Sequence, residues 1–124
     1  MVERIDREQF TMQDCIFCRI VRREMPSEIL MEDERILAFP DISPQAPTHV
    51  LVIPKKHMAS LAEAARDDSD LLGHLLWAAG RIARERNLES GFRVVLNTGA
   101  EAGQTVFHIH LHLLGGRTFA WPPG

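Results

Sequence analysis

No stretch of this sequence is both long and apolar. Its longest apolar runs are far too short to cross a bilayer. The first fourteen residues carry Glu3, Arg4, Asp6, Arg7, Glu8 and Asp14 and hold no apolar run of the kind an export signal needs. A soluble, cytoplasmic protein with no membrane partner is the expectation. A basic face is missing as well. The 17 acidic and 14 basic side chains are interleaved and leave a formal charge of -3, so nothing gathers enough positive charge to hold a polyanion by counterion release. Nucleic acid is therefore not an expected partner. Cysteine is scarce, with only Cys15 and Cys18, and in a chain without an export signal a structural disulfide is a poor use for the pair. Metal binding and redox chemistry stay to be weighed. There are no internal repeats and no low-complexity tract.

At 124 residues, 45% of them hydrophobic, the chain can bury one sizeable core and has no room for two ordinary domains. Residues 1–13, polar and aperiodic, read as a flexible arm, and residues 14–124 as a single domain. Ile16, Phe17, Ile20 and Val21 recur at helical spacing up to Arg23, and Pro26 stops that short helix. Ile29 to Met31 and Arg35 to Phe39 flank Glu32-Asp33-Glu34 as two antiparallel strands around a tight turn. The proline-rich segment 42–47 is a loop, and the β-branched run Thr48 to Ile53, closed by Pro54, is a buried strand. Asp67, Asp68 or Ser69 caps a long helix carrying Leu71, Leu72, Leu75, Leu76, Ala79, Ile82 and Ala83 on one stripe, with Gly91 just past its end. His74, among those leucines, reads as a half-buried structural histidine. Strands Phe92 to Leu96 and Val106 to Leu114 follow, separated by a glycine-rich loop. Short connections favour a mainly antiparallel sheet with helices packed on one side, so the class is α+β.

The last strand carries the chemistry. Phe107-His108-Ile109-His110-Leu111-His112-Leu113-Leu114 alternates, placing Phe107, Ile109, Leu111 and Leu113 on one face and three of the chain's six histidines on the other. An amphipathic strand needs polar residues on its wet side, but lysine, threonine or glutamate ordinarily supply them. Neighbouring imidazoles resist simultaneous protonation, so at least one stays neutral. A neutral imidazole can attack an electrophile, take a proton or bind a metal, and spacing alone leaves all three open. The preceding loop, Asn97 to Thr105, brings two glycines that allow close backbone approach beside amide and hydroxyl donors suited to phosphate oxygens. Alone it would pass for an ordinary hairpin connection.

His108 to Leu114 resembles the histidine-triad signature His-φ-His-φ-His-φ-φ, in which φ is apolar. Asp41 to His49, Val52 to His57, Gly103 to Val106 and the ending Trp121-Pro122-Pro123-Gly124 are similar to the Hint branch of the histidine-triad (HIT) family, and the resemblance spans roughly Asp14 to Gly124. It implies a five-stranded, mainly antiparallel sheet with a long and a short helix, the sheets joined across a homodimer. It also implies a purine nucleoside phosphoramidate hydrolase acting on AMP conjugates through a covalent nucleotidyl-histidine. By that resemblance His110 is the nucleophile, His112 lies near the scissile bond, and His49 orients the nucleophile through its other ring nitrogen. Asp41 accepts from ribose hydroxyls, Ile42 and Phe39 help form the nucleoside pocket, and Asn97, Gly103, Gln104, Thr105 and Val106 line the phosphate side. Thr105 stands where the family commonly has serine. Without the resemblance Asp41 would read as a turn carboxylate ahead of Ser43-Pro44, and Trp121 as part of a loose terminus. With it, Trp121 lies near the partner subunit's site and helps choose the leaving group.

Cys15 and Cys18 could simply pack at the start of the first helix. Many bacterial members of the superfamily instead bind zinc at this position, which implies the set Cys15, Cys18, His57 and His108, enough for a closed structural site. Thioredoxin-like use fits worst, because the βαβ setting is missing. Two rivals to the hydrolase reading stand beside it. One is a metal-dependent hydrolase with His108, His110 and His112 as ligands. The other is a nucleotide-binding regulatory module whose turnover is incidental.

Overall fold

The structure, a computed structural model, describes residues 15–124; the expected arm over residues 1–13 lies outside the described residues. The elements in chain order are helix α1 (Ile16–Val21), strands β1 (Met31–Glu32), β2 (Ile36–Pro40) and β3 (Thr48–Pro54), helix α2 (Ser69–Glu85), and strands β4 (Phe92–Val95) and β5 (Leu111–Gly115). Five strands form one sheet in the order β1-β2-β3-β5-β4, and every neighbouring pair is antiparallel. The class is α+β, as the sequence leads one to expect.

The sheet is covered on both faces. In β2, Ile36, Leu37, Ala38 and Phe39 are all buried, and β3 is buried from His49 to Pro54. Strands buried on both sides read as continuous apolar runs instead of alternating ones, and the pleat sends successive residues to opposite layers. Ile36, Ala38, Val50 and Val52 pack with Leu71, Leu75, Ala78, Ala79 and Ile82 of α2. Leu37, Phe39, Leu51 and Ile53 pack with Cys15, Phe17, Cys18 and Ile20 around α1. The expectation of helices on one side is thus corrected: α1 covers the face opposite α2, because β2 and β3 have apolar residues to bury in both directions.

Helix ends differ from the sequence reading too. Asp68 is not a side-chain cap for α2. Its carboxylate accepts from the backbone N–H of Ala65 at 2.8 Å and from Lys56 Nζ at 2.6 Å, closing the turn that precedes the helix. Gly91 does not end α2. Asn87, at φ 60°, takes the left-handed position, while Leu88 N–H bonds to Ala83 O at 3.0 Å and Asn87 N–H to Arg84 O at 3.1 Å. That pair of bonds is a Schellman closure. The same closure ends α1 before Pro26 is reached, with Arg23 at φ 63° and Glu24 N–H on Arg19 O. The first hairpin is shifted by about one residue from the expected bounds, since Asp33 Oδ1 accepts from both Arg35 N–H (2.8 Å) and Ile36 N–H (3.0 Å) and so sets the turn. The other Asp33 oxygen accepts from His74 Nε2 at 2.6 Å, which gives that half-buried histidine its structural role.

At the end of β5 the backbone of Gly115 lies against the buried Leu88 side chain. A Cβ built on it would stand 2.5 Å from Leu88 Cδ1 and 2.9 Å from Cδ2. Gly115→Ala should therefore destabilise by about 1–3 kcal/mol, as overpacking does. In denaturant titration the double variant Gly115→Ala/Leu88→Ala should lose less than the sum of the two single losses. Strict additivity would show that the two residues do not compete for this space.

Candidate functional site

The ladder of β5 begins at Leu111, not at Val106. The register with β3 stops at Val52↔Leu111, and Ile109 N–H turns instead to Met58 O at 2.8 Å. His112 alone of the three triad histidines is therefore in the ladder, while His108 and His110 occupy the segment leading into it. The expected division of faces survives in the packing of Ile109, Leu111 and Leu113 with the α2 layer. Phe107 is only partly buried and does not join that core.

His108 is fully buried. Its Nε2 lies 2.7 Å from Pro54 O, and a carbonyl can only accept, so the ring proton sits on Nε2 and Nδ1 carries a lone pair. That lone pair faces Cys15 Sγ at 3.4 Å, Cys18 Sγ at 3.6 Å and His57 Nδ1 at 3.2 Å, and Cys18 Sγ is 3.2 Å from His57 Nδ1. The four donor atoms lie within 4.8 Å of one another. A tetrahedral zinc ion with bonds of about 2.0–2.3 Å would separate its ligands by about 3.3–3.8 Å, so this cluster has nearly the required size. The donor set has the right chemistry as well. Burial holds His108 down to about 4, while burial and then Cys15 push the Cys18 thiol up to about 12. A cation among them would reverse the cost of the thiolate. The two cysteines also start α1: Cys15 Sγ accepts from Cys18 N–H at 3.4 Å.

His110 is buried and its Nδ1 lies 2.7 Å from the main-chain carbonyl of His108. Nδ1 is therefore the protonated nitrogen and Nε2 is left with its lone pair. Burial lowers the pKa of His110 against the opposing pull of that carbonyl. The ring of Phe17 meets it edge-on, with centroids 5.1 Å apart at 81°. His112, whose ring centroid is 4.9 Å from that of His110, has Nδ1 at 2.9 Å from His49 Nε2. His49 Nδ1 accepts from Gln45 N–H at 3.0 Å. The proton of His49 is thus on Nε2, which donates to His112 and has Asp41 Oδ2 at 3.4 Å. Burial lowers His49, with Asp41 opposing. Burial, His110 and His49 bring His112 to about 4.

These bonds correct two expectations. His49 does not orient His110, because both of its ring nitrogens are engaged elsewhere; the His108 carbonyl does that work. The triad does not converge on one metal either. The Nδ1 atoms of His108, His110 and His112 face the cysteines, a carbonyl and His49 respectively, and among the described residues the three form no common donor cluster.

Asp41 Oδ1 accepts from Ser43 N–H at 2.8 Å, so the carboxylate closes the turn ahead of Ser43-Pro44 while its other oxygen stands beside His49. Gln104 is buried and its amide closes the glycine-rich loop. Oε1 accepts from Gly99 N–H at 2.9 Å, and Nε2 donates to Ala59 O at 2.6 Å and Val106 O at 3.1 Å. Gly99 and Gly103 both have positive φ, 89° and 97°, and the Asn97 amide lies beside Gly103. Thr105 is exposed, and Val106 packs with the α1 layer. Phe39 is buried edge-on against Phe17 at 5.6 Å, while Ile42 is wholly exposed and Trp121 is 82% exposed. Sequence reasoning missed Phe17, which it read only as a helix-face residue. The one signal was its place between Cys15 and Cys18. The Pro54 and His108 carbonyls and the Gln45 N–H left no signal at all, being main-chain groups.

Residues 14–118 match the family described as "Scavenger mRNA decapping enzyme C-term binding". The chain is 55% identical over 112 residues to an uncharacterised HIT-like protein of Synechocystis, covering 90% of this chain and 98% of that one. It is 50% identical over 111 residues to the "14 kDa zinc-binding protein" of Zea mays, covering 88% and 87%. Among solved structures, a HIT family hydrolase from Legionella pneumophila superposes with a TM-score of 0.87 at 52% identity, covering 89% of this chain and 99% of that one.

The depressed imidazoles carry a sign. Between the ordinary imidazole value of about 6.5 and the folded value of about 4 at His112, the unfolded chain binds more protons than the folded one. Their contribution to stability is complete above about pH 6.5 and is lost as pH falls through that window. Thermal unfolding from neutral pH down to about 4 should show a falling midpoint, with a shallower fall for His112→Asn. Equal slopes for the two proteins would remove His112 as a source of the effect.

Proposed function

This chain belongs to the histidine-triad (HIT) family, and on that premise we propose that it hydrolyses purine nucleoside phosphoramidates, the P–N conjugates of AMP and related nucleotides, through a covalent nucleotidyl-histidine. The observation that carries this reading is the state of His110. It is a buried imidazole with Nδ1–H on the His108 carbonyl at 2.7 Å and a lone pair on Nε2, beside a second imidazole whose own tautomer is set by His49.

In the first step His110 Nε2 attacks the α-phosphorus. A P–Nε2 bond forms, the P–N bond to the leaving amine breaks, and the imidazolium that results keeps its Nδ1–H on the carbonyl. His112, whose Nδ1 accepts from His49, presents its Nε2–H to the leaving nitrogen as a hydrogen-bond donor, and the amine departs with a proton drawn from solvent. In the second step water attacks the phosphorus and returns a proton to solvent, the P–Nε2 bond breaks, and AMP leaves with His110 restored. Covalent catalysis divides one difficult displacement into two easier ones. Asp41 addresses the ribose, Phe39 and Ile42 the nucleoside, and Asn97, Gly103, Gln104, Thr105 and Val106 the phosphate. Gln104 acts by shaping the loop, since its backbone N–H is bonded to Gly99 O and its amide to Gly99 N–H, Ala59 O and Val106 O. Two copies pair through their sheets, bringing Trp121, exposed on this chain, to the partner's site. The reaction proceeds in the cytoplasm.

Cys15, Cys18, His57 and His108 would hold a structural zinc ion. It would supply positive charge that keeps the cysteines as thiolates and would take no part at the phosphorus.

Adenosine 5′-phosphoramidate tests this directly. His110→Ala should stay folded and lose about 10³-fold or more in kcat, and wild type quenched in alkaline denaturant should carry one AMP mass on the peptide holding His110. Brief chelation that leaves the fold intact should not abolish turnover. Undiminished hydrolysis by His110→Ala would end the covalent reading. Sedimentation should give twice the chain mass; a monomer that remains fully active would remove the role assigned to Trp121.

A further inference from the structure

We propose that the Cys15, Cys18, His57 and His108 centre positions the nucleophile, acting on His110 through Phe17 and through the His108 carbonyl, so that metal loading sets how fast His110 reacts. The inference builds on the hydrolase reading above.

Besides the His112 ring, 4.9 Å away, two contacts define where the His110 ring sits, and these two lead back to the centre. The first is the His108 carbonyl, 2.7 Å from Nδ1. The ring of that same residue is held between Pro54 O and the two sulfurs. The second contact is Phe17, edge-on to His110 at 5.1 Å and to His108 at 5.9 Å, and braced by Phe39 at 5.6 Å. Phe17 lies between the cysteines in Cys15-Ile16-Phe17-Cys18, on a helix of only six residues. A helix that short has too few internal bonds to hold itself. Its N-terminus is fastened by Cys15 Sγ, which accepts from Cys18 N–H and faces His108 Nδ1. An ion shared by four side chains from three separate segments would fix Phe17 and the His108 main chain relative to each other, and the His110 ring touches both.

Apart from Phe39 and Val106, which share the α1 layer, the nucleotide side of the site depends on other groups. His112 is held by His49, and the loop by Gln104. Loosening the centre should therefore alter the reactivity of His110 and leave nucleotide binding largely intact.

The test compares zinc-loaded protein, protein stripped by chelator, and a zinc-loaded Phe17→Leu variant that retains all four ligands. Three quantities are followed: AMP affinity, kcat on adenosine 5′-phosphoramidate, and the proton resonance of His110 Nδ1–H in isotope-labelled protein. Stripping should leave the AMP Kd within about twofold while kcat falls about tenfold or more, the range seen when supporting contacts around a site are removed. The Nδ1–H signal should broaden or exchange away. Phe17→Leu should bind one zinc per chain and move kcat and the resonance in the same direction. The proposal is overturned if the signal and kcat are unchanged in both cases. It is equally overturned if affinity, kcat and near-ultraviolet dichroism collapse together on stripping while Phe17→Leu matches wild type, since the centre then only supports the fold. A loaded wild type with no turnover would remove the hydrolase reading, and the resonance would still decide whether the centre positions His110.

Discussion

One buried hydrogen bond, 2.7 Å from His108 Nε2 to the Pro54 carbonyl, organises the chemistry of this face. It decides which nitrogen of a wholly enclosed ring bears the proton, and so where the lone pair points. That choice aims Nδ1 at two sulfurs and a second imidazole. The same residue's carbonyl then decides the tautomer of His110. Two main-chain acceptors, Pro54 O at the end of β3 and His108 O, thus set two histidines in succession. Its strength comes from enclosure, because a ring with no water around it cannot trade one partner for another.

Charge follows from the same enclosure. Five imidazoles in this region, those of His49, His57, His108, His110 and His112, are held below their ordinary value chiefly by burial. Neutral rings are what a chain of N–H to N contacts requires, since each ring must both give and accept. Asp41 opposes the trend at His49 from 3.4 Å, close enough to lean on the pair without forming a short ion pair.

Much of this was legible in the sequence, and the unread parts have specific causes. The residue types of the triad, the Cys-x-x-Cys pair and His57 stand where motif spacing puts them, since their side chains are the chemistry. The long helix announced itself through its 3.6-residue stripe. The extent of the histidine strand did not, because alternation records which way side chains point and is silent on whether the backbone finds a ladder partner; Ile109 N–H found Met58 instead. The side on which α1 packs was hidden for a related reason. Ile36 to Phe39 and Val50 to Ile53 are apolar throughout, and a continuous run does not say which helix takes which face. The two helix ends escaped because Arg23 and Asn87 adopt a conformation usually assigned to glycine. The partner of His49 escaped since a histidine can reach either of two neighbours, and only coordinates choose between His110 and His112.

The sheet with a different layer on each face has a consequence for how such a protein can diverge. Ile36, Ala38, Val50 and Val52 meet α2 on one side, while their immediate neighbours Leu37, Phe39, Leu51 and Ile53 meet α1 and the histidine side on the other. The backbone between them acts as a bulkhead. A substitution in the long helix or on its outer surface is thereby separated from the histidine side by the thickness of a single peptide plane.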